Sequence, residues 1–305
     1  MEEKLSILAI IFIVILVATL LLKFTRMKQP NKDFSNIHSR VKAWWGGMYV
    51  VFCFATLFTP IVSLLAVMIL CFYSLKEYFS MMKTRKSDRR LFLWSYLMIP
   101  LQFYWIYIGW YGMFIVFIPV YVFLFLPLPR IIGKGTIGFL RSVSFVQWGL
   151  MLMVFGLSHL AFYQIATPEF GSNLVLFLIV LTQTGDVVQY LISLYIGKKK
   201  LIPSANPNIT LEGFVGALIV TTLASYLLYE YLTPFDLIFG IFSGVIISVA
   251  GFVGILSISV LKRDLLIGNT AKQKQLQGRY LSRIDSLTYT SPVFFHIIRY
   301  FFDFM

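Results

Sequence analysis

Long apolar runs alternate with short basic stretches along the chain, and the length of each run decides what it can be. A helix needs about 20 mostly apolar residues to cross ~30 Å of hydrocarbon. Leu5–Leu22 meets that length. It is read as a span rather than a signal sequence, because a signal's apolar core is usually ~7–15 residues and no small-residue cleavage site follows. Trp44–Leu75 is too long for one crossing and has Thr59-Pro60 in its middle, which predicts a helical hairpin forming spans 2 and 3. Leu91–Ile108 and Trp110–Leu126 are spans 4 and 5, separated by Gly109. Phe145–Ile165 and Leu174–Leu191 are spans 6 and 7, and Glu212–Leu232 and Asp236–Leu261 are spans 8 and 9. Tyr289–Phe304 is short for a crossing and is a candidate tenth. The expected architecture is all-α, a polytopic membrane protein built as a bundle of about 9–10 transmembrane helices. Spans 1–6 form an N-terminal region, 1–172, and spans 7–10 a C-terminal region, 173–305.

Composition supports the same class. Hydrophobic residues make up 59% of the chain and charged residues 13%, about half the charge of an average soluble domain. That balance excludes a cytosolic enzyme, a disordered tail and a disulfide scaffold. The net charge of +13 would suggest nucleic acid in a soluble protein, but its distribution points elsewhere. With the N-terminus outside, loops 23–43, 76–90, 127–144, 192–211 and 262–288 fall on one side and hold 24 of the 26 Lys and Arg. Only Lys4 and Arg299 remain, while Glu169, Glu230 and Asp236 lie at the other side. Cytoplasmic loops carry such an excess, so the basic loops are expected to be cytoplasmic and the membrane a cell inner membrane. Topology accounts for the first two loops; basic loops also suit anionic headgroups. Cys53 and Cys71 lie inside apolar runs and carry no redox signal.

Polar residues inside a span are costly and usually mark a cavity or a site. Asp186 is the clearest case, about 8 Å below the end of predicted span 7 at 1.5 Å per residue. Thr182, Asp186 and Gln189 form one stripe at i, i+4, i+7. An interhelical hydrogen bond is the structural alternative for that stripe. Glu212 opens span 8 after Thr210, where a carboxylate suits a helix N-terminus, and Gly213 and Gly216 permit close helix packing. His159 and His296 read as isolated core or interfacial residues. No Gly-rich phosphate loop, Ser-His-Asp set or Cys/His cluster appears, and no inverted repeat or pair of broken helices speaks for a transporter.

From Asp186 onward the sequence resembles the phosphatidate cytidylyltransferase (CDP-diacylglycerol synthase) family. The stretches that carry the likeness are Asp186-Val-Val-Gln189-Tyr190, Gly197-Lys198-Lys199-Lys200, Asn206-Pro207-Asn208-Ile209-Thr210-Leu211-Glu212-Gly213, and Gly254 through Ser286. The resemblance implies a cytidylyltransferase-like helical bundle that joins CTP to phosphatidate, giving CDP-diacylglycerol and pyrophosphate. Asp186, Lys262, Arg263 and Asp285 are then candidate catalytic residues. Lys198, Lys199, Lys200, Glu212, Ser259 and Arg283 are candidates for binding substrate phosphates. Magnesium is the implied cofactor of an active member, and none is implied for an inactive one. The implied partners are the membrane, phosphatidate as an anionic phospholipid and CTP, with a homodimer as one assembly state and no nucleic acid. This chain departs from the family pattern where Ile255 and Ser282 replace two acids that the resemblance would nominate as metal ligands. Gly268-Asn269 stands for a Lys-Asp pair, and Ile209 for a lysine. The alternative to an enzyme is a non-catalytic member that binds anionic lipid or nucleotide.

Overall fold

A computed structural model of the chain describes residues 60–82, 88–132, 137–204, 206–266 and 281–302, without the side chains of Leu266, Ser282 and Arg283. Predicted spans 1 and 2, Cys53 and the motif residues 267–280 lie outside the described residues. Helix α1 (Pro60–Ser80) starts at the proline that breaks the Trp44–Leu75 run. Proline suits the first helical turn, where its missing N–H costs nothing. Helix α2 (Arg89–Tyr107) turns at Gly109, whose φ of 70° needs a glycine, into α3 (Tyr111–Ile132). Helix α4 (Phe139–Ala166) follows, then α5 (Gly171–Tyr195). A short antiparallel hairpin, β1 (Lys200–Ile202) and β2 (Asn206–Thr210), leads into α6 (Leu211–Leu232) and α7 (Leu237–Leu266). A four-residue helix α8 (Leu281–Ile284) precedes α9 (Leu287–Phe301). The fold is all-α apart from the hairpin.

Among the described residues, α1, α3, α4, α5, α6 and α7 are six helices long and apolar enough to cross a membrane. The chain is therefore an integral, multi-pass membrane protein. Helix α2, predicted span 4, has 19 residues but is less apolar, carrying Trp94, Tyr96, Pro100, Gln102 and Trp105. Both α3 and α4 pass through a π-helical segment, at Phe117–Val122 and Leu150–Gly156.

The candidate tenth span is corrected. Helix α9 has 15 residues, about 22 Å of helix, too little for ~30 Å of hydrocarbon. The reason is where it begins: a Cβ on Gly156, well inside α4, would lie 2.6 Å from the Thr288 carbonyl oxygen. Thr182 within α5 donates to Thr290 at 3.2 Å. Helix α9 thus starts at membrane depth, with its buried Phe294 and Phe295 among Tyr163, Phe162 and Phe177. Non-helical backbone at such depth is tolerated when protein buries it, and Ser286 at this turn is fully buried.

At one end of the bundle, buried Arg130 pairs with buried Asp88 and donates to the Ile137 carbonyl at 2.9 Å. This ion pair ties loops 76–90 and 127–144 to the same end, as the charge pattern predicts. Removing one partner of a buried pair strands the other charge, so Arg130→Ala is expected to cost about 3–5 kcal/mol. The check is the unfolding temperature in detergent, with the paired Asp88→Leu/Arg130→Met variant recovering most of the loss.

Candidate functional site

Three helices meet around Asp186. Gly213 of α6 packs so closely on α5 that an added Cβ would collide with Ser193 Oγ, and Gly216 does the same against Ile192. Both glycines thus serve the close packing read from the sequence. On α7, a Cβ on Gly254 would lie 2.7 Å from the Asp285 carbonyl oxygen and 3.0 Å from Ser286 Cα. That glycine lets the turn between α8 and α9 enter the bundle. Gly254→Ala is expected to cost about 1–3 kcal/mol by overpacking, read as a lower unfolding temperature.

The turn brings Ser286 to Asp186. Ser286 Oγ donates to Asp186 Oδ2 at 2.6 Å, and the Ser286 N–H donates to Asp285 Oδ1 at 3.1 Å. Asp186 therefore faces the N-terminus of α9, whose dipole favours negative charge. Helix α5 continues past the predicted span end to Tyr195, which puts Asp186 nine residues, about 14 Å, from the helix end. Of the polar stripe, Thr182 and Asp186 make interhelical hydrogen bonds, to Thr290 and Ser286. Gln189 is buried, and its amide nitrogen has no hydrogen-bond partner among the described residues.

Asp186, Gln189, Thr182, Ser248 and Ile255 line one small cavity with Phe214 and Phe252, of about 10 Å³. That is room for about one water or ion. Ser248 Oγ is also buried without a hydrogen-bond partner among the described residues. Ile255, where the resemblance would place an acid, thus faces the same space as Asp186. Among the described residues, no group of three or more His, Cys, Asp and Glu is placed to hold a metal. The donor set is one carboxylate with neutral oxygens. It fits a magnesium ion carried by substrate phosphates, which needs only one or two carboxylates, and does not fit a dedicated protein cage.

Above the cavity sits the hairpin. Glu212 accepts the backbone N–H groups of Lys198 and Lys199, each at 3.1 Å. Thr210 caps α6 by accepting the Gly213 N–H at 3.1 Å and donates to Ser193 Oγ at 2.9 Å. Asn206 Nδ2 donates to Ser259 Oγ at 3.2 Å. The hairpin is thereby clamped to α5, α6 and α7, with the side chains of Lys198, Lys199 and Lys200 exposed. On α7, Ser248, Ile255, Ser259 and Lys262 follow helical spacing, so the face that lines the cavity runs on to the basic end of the helix. Lys262 is half-buried, and Arg263 and Asp264 are exposed beside it. Arg283 has its backbone on α8 and its side chain outside the described atoms.

The candidates thus fall into two layers: Asp186 with Asp285 and Ser286 at depth, and Lys198–Lys200, Glu212, Ser259, Lys262 and Arg263 at the basic end. Sequence reasoning missed Ser286 and Ser248 as members of the site. Ser286 carried a signal, as the residue following Asp285 in the family stretch; Ser248 carried none beyond being polar in an apolar run. His159 and His296 are corrected from isolated to adjacent, with ring centroids 5.2 Å apart. They lie with Tyr111 and Arg299 in another part of the bundle.

Residues 38–301 match the model of the cytidylyltransferase family. The chain is 33% identical over 298 residues to the uncharacterised protein YnbB of Escherichia coli K12, covering 96% of this chain and 97% of that protein. It is 31% identical over 141 residues to a phosphatidate cytidylyltransferase of Chlamydia muridarum, covering 43% of this chain and 45% of the relative. For a phosphatidate cytidylyltransferase of Staphylococcus aureus the figures are 33% over 157 residues, 50% and 55%. The matches to these two enzymes span about half of each. By a family match that runs through nearly all the described residues, the chain belongs to the cytidylyltransferase family.

Proposed function

We propose that this protein transfers CMP from CTP to phosphatidate, yielding CDP-diacylglycerol and pyrophosphate. The observation that carries the reading is Asp186, the one acid among the described residues lining its cavity, set beneath a lysine hairpin that three helices hold in place. A phosphate oxygen of phosphatidate attacks the α-phosphorus of CTP, and a P–O bond forms as the bond to the β-phosphate bridging oxygen breaks. Pyrophosphate leaves with that electron pair. Both reactants are anionic, so Lys198, Lys199, Lys200, Lys262, Arg263 and Arg283 are assigned to balance their charge and the charge moving to the leaving group. The cavity is too small for a triphosphate, so the nucleotide is assigned to the hairpin side. Asp186 would hold magnesium brought with the nucleotide, with Ser248 and Thr182 as neutral neighbours. When bound, the ion would offset triphosphate charge and polarise the phosphoryl oxygens. Asp285 is a positioning residue, acting through Ser286. The basic face is assigned to the cytoplasm of a cell inner membrane, where CTP is available.

A second reading rests on Ile255, which leaves the cavity with one carboxylate: a non-catalytic member that binds nucleotide or anionic lipid. Phosphatidate-dependent release of pyrophosphate from CTP by the purified chain separates the two. Transfer predicts release that needs both substrates, with a raised KM for CTP when Lys262 and Arg263 are both changed to Ala. The second reading predicts CTP or phosphatidate binding, weakened by the same pair, with no pyrophosphate released.

A further inference from the structure

A groove far larger than the Asp186 cavity, about 570 Å³, lies between α2 and α3. One wall is Arg90, Trp94, Met98 and Leu101, spaced i, i+4, i+8, i+11 on a single face of α2. The facing wall includes Tyr121 and Phe125 of α3. The α2 wall rises about 16 Å, close to half of the ~30 Å hydrocarbon thickness. The groove therefore runs inward from the basic end of the bundle, marked by Arg90, over a length comparable to half a bilayer's hydrocarbon.

Its polarity is as asymmetric as its position. Arg90 is exposed at the basic end, and everything deeper is apolar or aromatic. The neighbouring acid, Asp88, is engaged by Arg130 and buried, so it leaves the Arg90 charge facing outward. Packing between transmembrane helices favours small residues, whereas Trp94, Tyr121 and Phe125 are bulky and exposed. Such walls suit a flexible chain better than another helix.

We propose that this groove binds one anionic phospholipid from the leaflet on the basic side, with its phosphate at Arg90 and an acyl chain between α2 and α3. The site is separate from the Asp186 cavity and does not depend on the transfer reaction. A monoanionic headgroup such as that of phosphatidylglycerol meets its chemistry; a zwitterionic headgroup offers no net charge to Arg90.

The test uses the purified full chain in phosphatidylcholine vesicles containing either phosphatidylglycerol or phosphatidylcholine with a photoactivatable diazirine on the acyl chain. Cross-linked peptides are mapped by mass spectrometry. The proposal predicts that the phosphatidylglycerol analogue labels 90–101 and 117–132 preferentially. One Lys or Arg near a membrane surface contributes enough for Arg90→Ala to lower that labelling about fivefold, and Arg90→Lys should restore it. Leu101→Trp, which fills the deep end, should also lower it while pyrophosphate release stays unchanged. Equal labelling by phosphatidylcholine, or labelling indifferent to Arg90→Ala, overturns the proposal. So does label found only on residues 1–59 or between two copies of the chain, which would make another helix the occupant.

Discussion

Asp186→Asn is expected to lower CMP transfer about 10²–10³-fold, the usual range for removing one well-placed electrostatic group from a site. The substitution is chosen because it separates charge from packing. Asparagine keeps the size of the side chain and an oxygen that can accept from Ser286 Oγ, which donates to Asp186 at 2.6 Å. The turn that starts α9 should hold, and the unfolding temperature should stay close to that of the parent. What is lost is the carboxylate charge in a cavity whose other described polar groups are neutral. Under the proposed mechanism that loss falls on turnover and on the magnesium requirement rather than on lipid binding. A variant that keeps its activity would place the chemistry elsewhere, and one that unfolds would make Asp186 a structural residue.

Ile255→Asp is expected to act in the opposite direction. Ile255 and Asp186 line the same small cavity, so the change sets a second carboxylate there. Two carboxylates at one site repel, and one is pushed toward its protonated form unless a cation compensates. In a chelator the variant should therefore unfold at a lower temperature than the parent. Magnesium should reverse this, because a ligand at 100 times its Kd stabilises a folded protein by about 2.7 kcal/mol. The parent, with one carboxylate, should show a much smaller magnesium shift. If the variant is active, its half-saturating magnesium concentration should fall about tenfold or more. Equal magnesium shifts in both proteins would separate Ile255 from the metal's position.

Much of this arrangement was legible in the sequence because it depends on local periodicity and charge. The stripe of Thr182, Asp186 and Gln189 follows from helical spacing, and two of its members do bond across helices. The loops at 76–90 and 127–144, matched by their basic residues, meet through Asp88 and Arg130. Gly213 and Gly216, read as packing glycines, sit where α5 and α6 come closest. Other features needed tertiary information. Hydropathy registers Tyr289–Phe304 as a short apolar run but cannot tell that α9 begins inside the bundle, because that depends on Gly156 and Gly254 admitting the turn. The end of α5 was also not legible, because Ser193 and Tyr195 lie beyond the apolar run that hydropathy counts yet continue the helix. Glu212 suited a helix N-terminus, yet its acceptance of two N–H groups from the lysine stretch is a contact between segments that spacing does not encode.

Nucleotidyl transfer at a cavity with one carboxylate can be followed in vitro. The most direct measurement gives the purified full chain phosphatidate in mixed micelles, magnesium and CTP labelled at the α-phosphate, and follows the label into extracted lipid. The expected product is a labelled lipid that co-migrates with CDP-diacylglycerol, forms only with phosphatidate present, and falls about 10²–10³-fold with Asp186→Asn. A folded protein that binds CTP yet gives no lipid-linked label with magnesium or manganese would contradict the proposed transfer.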